Sequence, residues 1–395
     1  MKKYISIIIA FILIFPISLF TVQAEDGEAV STIVQNTPTG ITVSAKSAIL
    51  MDASTGQVLY AANEHERLYP ASVTKIMPLL LFMEALDSGK ISLTDVVTTS
   101  PVAASKGGSQ IWLKEGEQMT VDELLRATAI ASANDACTAL GEHIAGSEEA
   151  FVSLMNKRAG EVGMKNTNFV NCSGLDDDTT EHLTTAYDIA LMSKELLSHE
   201  RIKTYTTVWM DTLRDGATEL TNTNRLVRFY SGTTGLKTGT TDKAGYCLSA
   251  SAERDGLHLI AVILGAESSD DRFEGAKALL NWGFANFETF TPDMKNVDIP
   301  EVEVIRGISD VVTSEVKGMK PVTLKKGEKA KIEYIVEACE NVEAPVEKNQ
   351  ILGKLTAKSG DNVIGEYSIV AKEEIRKTTL FDFMQGILKS LTKSA

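Results

Sequence analysis

Gly235-Leu236-Lys237-Thr238-Gly239-Thr240-Thr241-Asp242-Lys243-Ala244-Gly245-Tyr246 opens the stretch of this 395-residue chain that decides its fold. Two apolar runs follow, 246–252 and 257–265, separated by Arg254-Asp255-Gly256. Runs of that length around an Asp-Gly turn predict an antiparallel meander. The segment 272–287 then predicts a helix that closes the unit. Lys237 accordingly falls on or beside a strand, which holds its cation in a fixed position.

Upstream, the runs 48–52 and 57–60 flank Ala53-Ser54-Thr55-Gly56 and read as a hairpin. Residues 76–86 are apolar nearly all round, the mark of a buried helix, expected to start near Ser72 and to kink at Pro78, which lacks a backbone donor. A second helix from Val121 breaks at Ser132-Ala133-Asn134 and restarts with Asp135 as its N-cap. Residues 171–182 form a long polar loop, and a further helix runs from Thr184 toward Leu197. The expected fold is α/β in the α+β sense, an antiparallel sheet with helices, over residues 44–292.

Beyond Pro292 short alternating runs such as Val302-Glu303-Val304-Ile305 and Lys331-Ile332-Glu333-Tyr334-Ile335-Val336 are punctuated by Gly, Asn and Pro. They predict a small all-β domain over 293–372 that carries no chemical site. In the segment 373–395, Leu380, Phe381, Phe383, Met384, Ile387, Leu388 and Leu391 fall on one broad helical face. Such a helix is too short and polar to span a bilayer and suits its surface. At the other end, Lys2 and Lys3, an apolar run 5–20 and Val22-Gln23-Ala24 read as an export signal over 1–24, with a linker over 25–43.

The chemistry lies in three motifs. Ser72-Val73-Thr74-Lys75 places a hydroxyl and an amine one helical turn apart, although Ser314-Glu315-Val316-Lys317 and Ser390-Leu391-Thr392-Lys393 share the pattern. Ser132-Ala133-Asn134 and Lys237-Thr238-Gly239 each occur once, downstream of Ser72 and in that order. Serine needs a base to become a nucleophile, and Lys75 can serve if burial and a second cation, Lys237, lower its pKa. The catalytic set is then Ser72, Lys75 and Ser132, the last relaying a proton to the leaving amine. Asn134, Lys237, Thr238, Gly239, Thr240 and Arg272 form the substrate-binding set. Their cations and hydroxyls call for a substrate carboxylate, and the N–H groups of Ser72 and Thr240 can stabilise an oxyanion.

Composition excludes other classes. The formal net charge of −14, without a basic run, excludes a nucleic-acid binder. There is no Cys-x-x-Cys or His-Glu-x-x-His to support a metal, and no Gly-x-Ser-x-Gly elbow for a Ser-His-Asp hydrolase. The four cysteines allow disulfides in three pairings, which a chain this long does not need.

The motif order resembles that of serine β-lactamases and penicillin-binding proteins. With Tyr69-Pro70-Ala71 before Ser72, Asn171-Cys172-Ser173-Gly174-Leu175-Asp176, Thr185-Ala186-Tyr187-Asp188 and Gly235 to Tyr246, the chain is similar over nearly its whole length to the low-molecular-mass penicillin-binding proteins, serine D-Ala-D-Ala carboxypeptidases. The resemblance implies a serine β-lactamase/transpeptidase-like fold and removal of the terminal D-alanine of peptidoglycan stem pentapeptides through an acyl-enzyme. It also implies covalent inhibition by β-lactams, no cofactor, export, and attachment of the C-terminal helix to the outer face of the cytoplasmic membrane. In that family an arginine holds the terminal carboxylate, and Arg272 stands at its place. A β-lactamase is the rival reading, with Glu181 as its added acid; DD-endopeptidase or transpeptidase action on cross-linked wall is another.

Overall fold

The computed structural model describes residues 41–175, 179–294 and 297–385. The predicted export signal, most of the linker, Asp176 and the last ten residues of the predicted terminal helix lie outside them.

Strands β1 (Ser47–Asp52) and β2 (Val58–Ala62) pair as the expected hairpin, whose turn is tied by the Asp52 carboxylate accepting from Ser54 and Thr55 N–H. A 3-10 turn, Ala71–Lys75, leads into helix α1 (Ile76–Asp87). The α-helix therefore starts four residues later than its sequence suggests, and Pro78 stands in its first turn. There a missing N–H breaks no intrahelical bond, so the kink expected at Pro78 has no cause.

Helix α2 (Val121–Ile130) begins with a capping box between Thr120 and Glu123 and stops before Ser132. Helix α3 (Asn134–Ala145) follows, then α4 (Glu148–Val162) and α5 (Ala186–Leu197). The meander is β3 (Thr233–Thr241), β4 (Gly245–Arg254) and β5 (Leu257–Ala266), with α6 (Ser269–Asn286) behind it. All five strands form one antiparallel sheet in the order β2-β1-β5-β4-β3.

Alternate residues of β1 and β5 feed two cores. Ile49, Met51, Ile260, Val262 and Leu264 face α1 to α5, whereas Leu50, Leu259, Ala261 and Ile263 face Phe273, Leu279 and Leu280 of α6. With both faces covered, the strands read as continuous apolar runs in place of an apolar-polar alternation. The fold is thus the expected mixed one, an antiparallel sheet between helices.

A β-rich region completes the chain, in a three-stranded sheet that includes one parallel pair and a four-stranded antiparallel sheet. Its strand pairing begins at Phe287–Phe290, which pairs with Val322–Lys325, and bridges reach Ile375 and Lys377. Buried Asp52 on β1 accepts from Thr323 Oγ1 at 2.6 Å, which joins this region to the main sheet. Among the described residues no helix is long and apolar enough to cross a membrane.

Candidate active site

The 3-10 turn brings Ser72 and Lys75 together, because three residues per turn eclipse positions i and i+3. Lys75 Nζ donates to Ser72 Oγ at 3.0 Å, to Asn134 Oδ1 at 2.5 Å and to the Ser173 carbonyl at 2.8 Å. Those contacts use all three donors of an ammonium whose residue is fully buried. Burial first lowers the Lys75 pKa, to about 8, against the opposing fields of Cys137, Cys172 and Asp135. A smaller population of neutral amine is thus present at neutral pH, hydrogen-bonded to the hydroxyl it would deprotonate.

Two glycines allow this packing. At Gly239 a Cβ would come within 2.8 Å of Ser72 N and 2.7 Å of Pro70 O, so strand β3 lies directly against the serine turn. At Gly174, with φ of +86°, a Cβ would fall 1.9 Å from Ala71 O. The loop that presents the Ser173 carbonyl therefore approaches the same turn from another side. Asn171 Oδ1 shapes this loop by accepting from Ser173 and Gly174 N–H.

Ser132 and Asn134 sit where α2 gives way to α3. Ser132 has φ of 64°, a strained value for a residue with a side chain, and its buried Oγ has no partner among the described residues. Asn134 Nδ2 donates to Gly107 O at 2.7 Å while its Oδ1 accepts from Lys75. One amide proton remains for a ligand. Asp135 is not the N-cap expected from sequence: the cap position belongs to Ala133, and the buried Asp135 carboxylate accepts from the N–H groups of Ile111 and Leu113. It thereby holds the neighbouring loop against the Ser132-Ala133-Asn134 segment.

On β3, Lys237 is buried and donates to Thr238 O at 3.0 Å. Burial, then the charges of Lys75 and Arg272, hold its pKa well below the ordinary ammonium range. Thr238 Oγ1 donates to Thr223 Oγ1 at 2.7 Å. Arg272, in the first turn of α6, donates from Nη1 to Gly239 O at 2.9 Å and to Thr240 Oγ1 at 3.0 Å, which leaves Nε without a partner among the described residues. Burial lowers its pKa to about 10. Surface pairing of Arg272 with Asp270 or Asp271 is not observed, since Asp270 meets Arg225 and Asp271 meets the capping Ser268.

The structure thus joins Ser72, Lys75 and Asn134 by hydrogen bonds, and joins Thr240, Gly239 and Arg272 likewise, while the charges of Lys75 and Arg272 both lower the Lys237 pKa. Glu181, the candidate acid of a β-lactamase, is exposed. No disulfide joins any of the four cysteines. Sequence reading missed the Ser173 carbonyl, Asp135 in its loop-holding role, and His182, which contacts Thr74 inside the serine turn.

Comparison with known proteins identifies the family. Residues 32–268 match the family model described as D-alanyl-D-alanine carboxypeptidase, and residues 287–377 match the penicillin-binding protein 5 C-terminal domain. D-alanyl-D-alanine carboxypeptidase DacF of Bacillus subtilis is 41% identical over 399 residues, 100% of both chains. The crystal structure of penicillin-binding protein 5 from Haemophilus influenzae has a TM-score of 0.77 at 32% identity, covering 86% of this chain and 100% of that one. Penicillin-binding protein D2 of Listeria monocytogenes in its ampicillin-bound form has a TM-score of 0.57 at 33% identity, covering 61% of this chain and 98% of that one. Whole-length identity to one carboxypeptidase and a family match across the sheet and its motifs lead to one assignment: the chain belongs to the D-alanyl-D-alanine carboxypeptidase family and is a serine peptidase of that activity.

Proposed function

We propose that Ser72 is the nucleophile that takes the acyl group from a peptidoglycan stem pentapeptide and expels its terminal D-alanine, with Lys75 as general base. The observation that carries this reading is the 3.0 Å contact between Lys75 Nζ and Ser72 Oγ within a site that holds the Lys75 pKa at about 8. In the proposed sequence Lys75 removes the Ser72 proton as Oγ attacks the carbonyl of the penultimate residue. The oxyanion is met by the N–H groups of Ser72 and Thr240, whose strand packs on the serine turn at Gly239. The proton passes through Ser132 to the departing amine. Water then enters, is deprotonated by the same lysine and attacks the acyl carbon, and the lysine returns that proton to Ser72 Oγ as the shortened peptide leaves.

Lys237, Thr238 and Arg272 receive the terminal carboxylate. An anion placed there offsets the mutual repulsion of Lys237 and Arg272 and opposes the lowering of the Lys237 pKa. Asn134 contributes its remaining amide proton to the substrate backbone.

The same Ser72 would open a β-lactam ring and stay acylated, as the ampicillin-bound form of the Listeria relative suggests by analogy. We further infer export through residues 1–24, a catalytic domain over 44–292, a β-rich domain over 293–372 whose pairing also takes in Phe287–Phe290, and attachment to the outer face of the cytoplasmic membrane through the terminal helix. Support for the attachment is the exposure of Leu380, Phe381, Phe383 and Met384 at 77, 69, 63 and 55%. An Arg272→Ala variant tests the carboxylate site. It should lower kcat/KM for a free-acid D-Ala-D-Ala peptide by about 10- to 100-fold, in line with the loss of a charged hydrogen-bonding partner. Its preference over the C-terminal amide should vanish, whereas an unaltered preference for the free acid contradicts the site.

A further inference from the structure

We propose that His182 is a positioning residue for acyl transfer: its imidazole bridges the facing segment at Val170 to Thr74 and so fixes the turn that carries Ser72 and Lys75. His182 is fully buried. Val170 N–H donates to Nδ1 at 3.1 Å, so Nδ1 must be unprotonated. The ring proton is then on Nε2, which donates to Thr74 Oγ1 at 2.8 Å. Thr74 is itself fully buried and stands between Ser72 and Lys75 in sequence.

The backbone around His182 is held from both sides. Asn168 and Leu183 exchange two hydrogen bonds, and Thr184 does the same with Leu68, just before the serine turn. The Phe169 ring meets the imidazole edge-on at 5.7 Å. From the surrounding elements His182 therefore faces Thr74 and the charge of Lys75 on the turn, and Phe169 and Val170 on the opposing segment; Glu181, its chain neighbour, is exposed. Burial and the Lys75 charge press its pKa down to about 4. The imidazole is consequently neutral at physiological pH and anchors Thr74 without placing a second cation beside Lys75.

The inference rests on Ser72 and Lys75 being nucleophile and base. The experiment measures the second-order rate of labelling by fluorescent penicillin across pH, with thermal melting alongside, for wild type, His182→Leu, His182→Gln, Thr74→Val and the Leu/Val double variant. His182→Leu and Thr74→Val should each acylate at least about tenfold more slowly when folded, with a shifted pH midpoint. The double variant should be no slower than either, and His182→Gln, whose amide can both accept and donate, should recover most of the rate. In the wild-type protein, NMR of the imidazole nitrogens should report the Nε2–H tautomer. An unchanged rate and pH profile in folded His182→Leu, additive losses, or an Nδ1–H tautomer would overturn the proposal. Should neither Leu nor Val variant fold, the tautomer alone decides. Absence of Ser72 labelling in wild type would instead refute the underlying reading and is separately visible.

Discussion

Lys75 has three acceptors around a buried amine, and its chemistry depends on losing a proton in that setting. With the pKa lowered to about 8, the neutral fraction grows about tenfold per pH unit below that point and saturates above it. The acylation rate constant, kcat/KM for penicillin, should follow this curve. Lys75→Met should lose about 10² to 10⁴ of it, a range set by general-base contributions; a pH-flat profile between 6 and 9 would contradict the assignment. His182 yields a stability prediction of known sign. Its folded pKa of about 4 lies below the ordinary imidazole value of 6.5, so the fold binds fewer protons than the unfolded chain in that window. Its stabilising contribution is complete above about pH 6.5 and is lost as pH falls through 4, a loss of roughly 3 kcal/mol. Denaturant midpoints should fall over that interval, and the fall should be smaller in His182→Gln. Ser72, Lys75, Asn134 and the Lys237 motif were legible at this scale because each is a chemical side chain in a spaced motif. The Ser173 carbonyl was not, since a backbone acceptor leaves no residue signature. His182 lay between a loop and a helix with nothing local to tie it to Thr74, 108 positions away.

Among the elements, the meander was the most readable part because an Asp-Gly turn and two long apolar runs admit few other structures. The serine turn was less so. Residues 71–75 adopt a 3-10 turn because Ala71 takes φ of 48° and Gly174 packs on its carbonyl, a tertiary cause outside the local sequence. The same shift of the helix start makes Pro78 harmless. Likewise Asp135 was read as a cap, the usual role of its type, but a loop from a different segment claims its carboxylate. Close approach makes both site glycines sensitive. Gly239→Ala would force β3 away from the serine turn and should lower acylation at least tenfold with a modest fall in melting temperature, as overpacking costs about 1–3 kcal/mol. Gly174→Ala meets a backbone carbonyl as well as an unfavourable φ and should destabilise more. Equal melting temperatures for wild type and the two variants would remove this packing argument.

For the whole molecule, sequence texture puts the change from sheet-and-helix to β-rich structure at Pro292. The pairing of Phe287–Phe290 with Val322–Lys325 places the onset earlier than Pro292, because that strand continues from the end of α6 and partners only a distant segment. Long-range pairing of this kind is invisible to local periodicity. If the C-terminal segment is a surface anchor, deletion of 378–395 should leave peptidase activity intact and abolish co-sedimentation with phospholipid vesicles. Retention on vesicles would refute the anchor without touching the chemistry. The chemistry is tested most directly by D-alanine release from a diacyl-Lys-D-Ala-D-Ala peptide, measured for wild type, for wild type pretreated with penicillin, and for Ser72→Ala. Release by wild type alone, with penicillin mapped to the peptide containing Ser72, is the expected result; undiminished release by Ser72→Ala would show that the nucleophile lies elsewhere.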